Sequence, residues 1–342
     1  MEIALVVPAY GTVTGNSISA RRILQGIVAS GSLAKVLDVE ALGVYIPNVI
    51  AAYEPDVVHA FHARKTGFLV RDSRPLVISL TGTDVGRDLA VPDHKAEVLA
   101  ACRAAFALVV HHRETAAPLL EADPSLAAKI RIVPKGMGLL EEAPFPMRET
   151  FSIPSDRPVF LMPGGIRPVK GQLRAIHALD NLGIELVIAG PRLDEEYGKR
   201  VVEAARERPW VRLIEIRPHA RMAGAYREAD VVLNASDVEG MSNAILEAMY
   251  FARPVLAADI PGNRSLVEPG VTGLMFSSDA ELREAARRLA TDAALRSTLG
   301  TGGAIRARAR HSAEAEAKAM MEIYREAAAS MAGVKRTPTV LP

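Results

Sequence analysis

Two glutamates eight positions apart, Glu239 and Glu247, are the residues of this sequence best placed to do chemistry. They stand around the expected start of a helix in SDVEGMSNAILEAMYFARPVLAADIPGNRSLVE, residues 236–268. The apolar run Val231-Val232-Leu233 before them reads as a buried strand, and Ser242 or Asn243 can cap the helix that follows. Free backbone N–H groups at a helix start attract phosphate. A carboxylate just before the helix and another about two turns into it suit different groups. Ionised, they only accept hydrogen bonds, so they fit the hydroxyls of a sugar or ribose. Phosphate donors beside hydroxyl acceptors point to a nucleotide-sugar site.

A second pair lies further toward the N-terminus. Arg167 and Lys170 follow FLMPGGI, an apolar run with a double glycine. Three residues apart, they can converge on one pyrophosphate, the Arg as a fork and the Lys as a point charge. Taken alone they also read as two solvated cations. After the first apolar run comes Pro8 to Asn16, which is not a dinucleotide fingerprint, although Gly15 lets the backbone approach an anion or sugar. An ordinary strand–helix turn is the competing account of that loop. His59 and His62, with His111 and His112, raise the question of a metal. No carboxylate or cysteine accompanies them at ligand spacing, so the expectation is no metal and histidines that hydrogen-bond along a cleft.

These residues must be positioned by something, and the apolar pattern says what. Short apolar runs fall at 3–7, 36–39, 57–61, 76–80, 106–110 and 130–133. A second set falls at 159–162, 185–189, 212–216, 230–233, 254–257 and 273–276. Continuous runs, as opposed to alternating ones, imply burial on both faces, and helical patterns between them imply parallel doubly wound sheets. Pro144, Pro146, Pro154 and Pro158 place a linker at 139–157. The fold class is therefore α/β with two Rossmann-like domains. The expected boundaries are 1–142 and 155–311, with a last helix at 312–330 and a patternless, disordered tail at 331–342. Ligands gather at the carboxyl ends of parallel strands, where most of the candidate residues named above fall.

Composition narrows the class. The chain has 342 residues, 49% hydrophobic and 24% charged, with net charge +1. That length suits two domains. The charge gives no global reason to bind nucleic acid or a membrane surface. A single cysteine, Cys102, rules out an internal disulfide and a Cys-based zinc cluster, and its apolar surroundings make it a buried thiol. The start MEIALVVPAYG lacks a basic n-region, and no run of 18 apolar residues occurs, so no signal peptide or integral membrane segment is expected. The expected compartment is the cytoplasm.

With these residues in view, the 236–268 segment resembles the Glu-x7-Glu signature of glycosyltransferase family 4, whose members are retaining and have the GT-B fold. The resemblance runs from residue 1 to about 324, strongest between 167 and 273 and looser before 136. IRPVKG (166–171) and DIPGNRSLV (259–267) are similar to the glycosyltransferase-1-domain-containing subgroup. HAFHARK (59–65) and LTGTDVGRD (80–88) resemble the selenosugar synthases. Relatives have Gly where this chain has Ala252, a packing difference, and Glu where it has Ser265. They also read Asn-Gly-Val-Asp where this chain has Lys135-Gly136-Met137-Gly138.

The resemblance implies a site. Two domains face a cleft, the second holding the donor and the first the acceptor, and the last helix crosses back to the first domain. Arg167 and Lys170 would meet the donor diphosphate and leaving group, Glu239 the hydroxyls of the transferred sugar, and Glu247 the ribose. Gly15, Gly165, Gly240 and the backbone of Met241, Ser242, Asn243 and Ala244 would complete the donor side, with the loop of Arg217 and His219 around the nucleobase. Asn16, His62, Arg64, Lys65, Thr83, Asp84, Arg87 and Lys135 would face the acceptor. The implied activity is retaining transfer from a nucleotide diphosphate sugar, a UDP-sugar, to a small acceptor, with no metal and no cofactor beyond that co-substrate. An anionic acceptor of the selenosugar or thiosugar type, and a non-catalytic nucleotide-sugar-binding protein, are the alternatives.

Overall fold

A computed structural model describes residues 1–12, 14–137, 145–215 and 221–331. Among the described residues, twelve strands form two all-parallel six-stranded sheets. The first contains β1 (Glu2–Val7), β2 (Leu33–Asp38), β3 (Val57–Phe61), β4 (Leu76–Ser79), β5 (Ala107–Val110) and β6 (Ile130–Ile132), in the order β2-β1-β3-β4-β5-β6. The second contains β7 (Val159–Pro163), β8 (Glu185–Ala189), β9 (Val211–Ile214), β10 (Val231–Asn234), β11 (Val255–Ala258) and β12 (Gly273–Phe276), in the order β12-β11-β10-β7-β8-β9.

Burial explains the continuous apolar runs. Val57–Phe61 and Glu185–Ala189 are buried at every position, because helices cover both faces of each sheet. Two polar members interrupt them: His59, and Glu185, which is met by Arg157 at 3.2 Å and Arg212 at 2.9 Å. Each sheet has one core on either face. Chain order reverses between β1 and β3 in the first sheet and between β7 and β10 in the second. Such reversals splay the following loops apart and leave a crevice at the strands' carboxyl ends.

Four helices position the site. They are α1 (Gly15–Ala29), α2 (Asn243–Tyr250), α3 (Ala293–Arg310) and α4 (Ala313–Ser330). Thr14 and Ser17 form a capping box at the start of α1, and Ser242 caps α2 through its hydroxyl to the Ile245 N–H. Because α2 begins at Asn243, Glu247 lies one turn into it, not two. Helix α4 leaves the second unit and packs on α1 and the first sheet. Its Met320, Met321, Ile323 and Tyr324 are at most 5% exposed. At about 1.5–3 kcal/mol for each buried side chain, this docking is worth several kcal/mol. A buried bidentate pair, Arg22 of α1 with Glu316 of α4, fixes its register.

Ala252 corrects a sequence expectation. It is not a packing detail: its φ of 52° is left-handed, at the residue after the Phe251 cap of α2, where glycine is the unstrained choice. Cys102 is fully buried, and burial pushes its thiol up to about 12. Among the described residues no helix is long and apolar enough to cross a membrane.

Candidate active site

The two chain reversals face each other across a cleft of about 690 Å³. Its second-unit wall is built from the loops after β7 and β10. After β7, residues Pro168–Lys170 make one tight turn. Gly171 then has φ of 69°, and a side chain there would come within 2.4 Å of the Ala235 carbonyl oxygen. Only a glycine lets the two loops approach so closely. The Asp237 N–H donates to the Val169 carbonyl at 3.0 Å and ties them together. Lys170 is thereby carried over the end of β10, where Nζ donates to Glu239 Oε1 at 2.5 Å.

Glu239 is held from three sides. Ser236 Oγ donates to the same oxygen at 2.8 Å and Asn234 Nδ2 at 3.3 Å. Asn234 is oriented by Asn263, whose Nδ2 donates to its Oδ1 at 3.3 Å and to the Ala258 carbonyl at 3.0 Å. Burial alone would raise the Glu239 carboxyl. The Lys170 ammonium and these hydrogen bonds outweigh it and hold the group below the usual glutamate range. Glu239 is thus an ionised acceptor, not a proton donor, near neutral pH. Glu247 is also buried in the wall and accepts from Tyr226 Oη at 2.7 Å. Arg167 lines the cleft with its Nε buried and unbonded among the described residues.

The first-unit wall comes from the residues after β1, β3, β4, β5 and β6. Gly15 and Asn16 open α1 on the cleft, and the Asn243 side chain crosses from the other unit to donate to the Gly15 carbonyl at 3.2 Å. Gly82 has φ of 97°, and a side chain there would lie 2.2 Å from the Gly240 nitrogen. The walls therefore touch backbone to backbone at this point. Lys135 makes a third crossing. It is buried, and its ammonium donates to the Met241 carbonyl at 2.5 Å. Burial, helped by Arg22, pulls that ammonium down to about 7, against the opposing influence of Glu316 and Glu239.

Most residues singled out from sequence line this cleft: Gly15, Asn16, His62, Lys65, Thr83, Lys135, Gly165, Arg167, Lys170 and 239–244 with Glu247. Three do not. Asp84 is fully buried and spends its carboxylate on the backbone N–H groups of Ala63, Thr81, Gly82 and Val85 at 2.9–3.1 Å. Arg64 turns to Asp88 at 3.0 Å, and Arg87 is exposed away from the wall. The two histidines separate. His62 lines the cleft, in left-handed backbone, with Nε2 3.1 Å from Thr83 Oγ1. His59 lies in the core between Ser79 at 2.8 Å and Tyr324 of α4 at 2.7 Å, and burial lowers it to about 3. Arg217 and His219 lie outside the described residues. Among the described residues no group of three or more His, Cys, Asp or Glu is disposed to hold a metal ion.

Sequence reasoning passes over Tyr226, Asn234, Ser236 and Asn263. Asn234 and Ser236 sit at the carboxyl end of β10, a position that could have flagged them. Tyr226 carries no such signal, being distant in sequence from the carboxylate it serves.

Two Rossmann-like units, joined across a cleft by a crossing helix, with a cation–carboxylate pair at the switch point, define a GT-B protein. Comparison with known proteins agrees. Residues 146–305 match the family model "Glycosyl transferases group 1". A "Glycosyltransferase 1 domain-containing protein 1" of Xenopus tropicalis is 28% identical over 330 residues, spanning 89% of this chain and 92% of that protein. A GDP-mannose-dependent alpha-mannosyltransferase of Mycolicibacterium smegmatis is 29% identical over 70% of this chain and 66% of its own length. Among solved structures, sucrose-phosphate synthase of Thermosynechococcus elongatus superposes with TM-score 0.81 at 21% identity, covering 96% of this chain and all of that one. HepE of Anabaena, in complex with UDP-glucose, superposes with TM-score 0.76 at 18% identity, covering 98% of this chain and all of that one. The second unit matches the group 1 glycosyl transferases, and the chain is a glycosyltransferase of GT-B architecture.

Proposed function

We propose that the enzyme moves a sugar from a UDP-sugar to a small acceptor with retention at the anomeric carbon, and that it does so without a metal ion. The observation that carries this is the Arg167 Nε, buried and unbonded among the described residues, beside Lys170 on the donor wall. A diphosphate seated there gives that N–H its acceptor, and two cations serve where a metal otherwise would. The start of α2 adds backbone N–H groups on the same wall. The uridine assignment draws on HepE, which binds UDP-glucose in the same fold.

In this reading the bond from the anomeric carbon to the diphosphate oxygen breaks, and its electron pair leaves with the nucleotide. The acceptor oxygen bonds the anomeric carbon on the face just vacated, and its proton passes to the departing phosphate. Lys170 and Arg167 meet the charge that grows on the leaving group, which is where a fixed cation lowers the barrier. Glu239, ionised, accepts from the sugar hydroxyls. Glu247, braced by Tyr226, accepts from the ribose.

The test is nucleotide release from UDP-glucose, UDP-GlcNAc and GDP-mannose in excess EDTA, with the product's anomeric configuration read by proton NMR. Uridine donors are expected to turn over undiminished, with retention. Activity restored only by magnesium or manganese overturns the metal-free reading. An inverted product overturns retention, and turnover of GDP-mannose alone overturns uridine.

A further inference from the structure

The acceptor-side wall of the cleft carries charge of one sign. Arg21, Lys65 and Lys135 line it, and among the described residues no carboxylate of the first unit does. The donor wall compensates itself, with Arg167, Lys170 and Arg192 set among Glu215, Glu239 and Glu247. The acids that could have neutralised the first wall are turned away from it: Asp84 caps backbone, and Asp88 is taken by Arg64 at 3.0 Å and His94 at 3.4 Å. Lys65 and Arg21 make no ion pair among the described residues. Arg21 instead lies over the Tyr10 ring at 5.0 Å and donates to the Tyr10 carbonyl at 3.3 Å. On the same wall, Thr81 Oγ1 is buried and has no hydrogen-bond partner among the described residues.

From this we infer that the first-unit wall is an anion subsite, and that the acceptor is a small hydroxyl compound carrying a phosphate-type group. The inference rests on the donor reading above, since it assigns this wall to the acceptor. Like charges lining a partly enclosed cavity repel one another more than they would in open water, and an anion between them relieves that repulsion. Arg21 supplies a planar fork for phosphate oxygens and Lys65 a point charge. The Thr81 hydroxyl can donate to the same group. The acceptor's hydroxyl, not its anion, attacks, so the transfer chemistry is unchanged and the anion sets which molecule is accepted.

The experiment is calorimetric titration of the UDP-loaded protein with matched pairs: glycerol and glycerol 3-phosphate, glucose and glucose 6-phosphate. In at least one pair the anionic member is expected to bind ten times more tightly or better. Lys65→Met with Arg21→Gln, both at exposed positions, should erase that preference while leaving UDP affinity within twofold. Equal affinity in both pairs, absence of binding by all four included, overturns the subsite. A preference that survives the double substitution overturns these residues as its source. Failure of the wild-type protein to bind any of UDP, UDP-glucose or GDP would instead bring down the donor reading, a result recorded before any acceptor is added.

Discussion

Lys170 Nζ and Glu239 Oε1 meet at 2.5 Å, one side chain arriving from the end of β7 and the other from the end of β10. The pair forms at the reversal of chain order in the second sheet, so cation and carboxylate share one position in the cleft. It joins the residue proposed for the leaving group to the residue proposed for the sugar. Lys170→Ala should lower kcat by about 10²–10³, the scale of losing a preorganised partner for transition-state charge. It should also raise the Glu239 carboxyl, since Lys170 is the largest influence holding it down. A raised carboxyl takes up its proton sooner as pH falls. The acid limb of kcat/KM in the variant should therefore lie at higher pH than in the wild type. Limbs that coincide would detach Glu239 from Lys170.

Tyr226 has no proposed contact with ligand, and acts through Glu247. Tyr226→Phe removes one buried hydrogen bond, worth about 1 kcal/mol. UDP should then bind about fivefold more weakly. A ribose contact is made equally in ground and transition states, so kcat at saturating donor should hold within twofold. A fall in kcat at unchanged UDP affinity would move Glu247 off the ribose.

At Gly82 the two units touch through backbone. Gly82→Ala adds a methyl where only 2.2 Å separates it from the Gly240 nitrogen, and at a φ of 97° that alanine resists. The walls must move apart. Turnover is expected to fall at least tenfold, with UDP affinity nearly unchanged because the donor wall is intact. Equal losses in turnover and UDP affinity, measured together, would show that the substitution damages the donor wall itself.

Lys135 makes stability depend on pH in a stated direction. Its pKa falls from 10.5 unfolded to about 7 in the folded protein. Between those values the unfolded chain binds the extra proton, so folding becomes more favourable as pH rises through that window. Below about 7 both states are protonated and the cost of burying the charge is present in full. Relative to Lys135→Met, the wild type should gain stability between pH 7 and 9, by up to about 1.4 kcal/mol for each pH unit. Urea unfolding at three pH values reads the difference, and a constant offset would place the ammonium in water.

The strands were legible because burial on both faces writes itself as an unbroken apolar run. Val57–Phe61, Glu185–Ala189 and Gly273–Phe276 coincide with their runs; β2 begins three residues before its run, and the others shift by a residue or two at their ends. Donor-wall residues were legible because one short segment, 236–268, carries most of them. The first wall was read less well. Arg64 and Lys65 are neighbours in sequence, yet only Lys65 reaches the cleft, since the Asp88 carboxylate claims Arg64. Nothing in the residues around His59 announces that a tyrosine 265 positions away will close over it. Arg21 was missed for a related reason: a cation inside a helix looks like any solvated arginine until the sheet it faces is known.

Helix α4 has a consequence for the order in which the protein can be made. The first sheet begins at residue 2, yet Met320, Met321, Ile323 and Tyr324, which cover one of its faces, are synthesised after the whole second sheet. While the polypeptide emerges from the ribosome, that face has only α1 to shield it, and Arg22 waits for Glu316. The second unit is complete sooner after its own start than the first is after its. A nascent chain of this topology exposes apolar strand surface for nearly the full duration of translation, which is the condition under which chaperones engage. A stop codon just before 312 would leave both sheets encoded and only one of them able to finish folding.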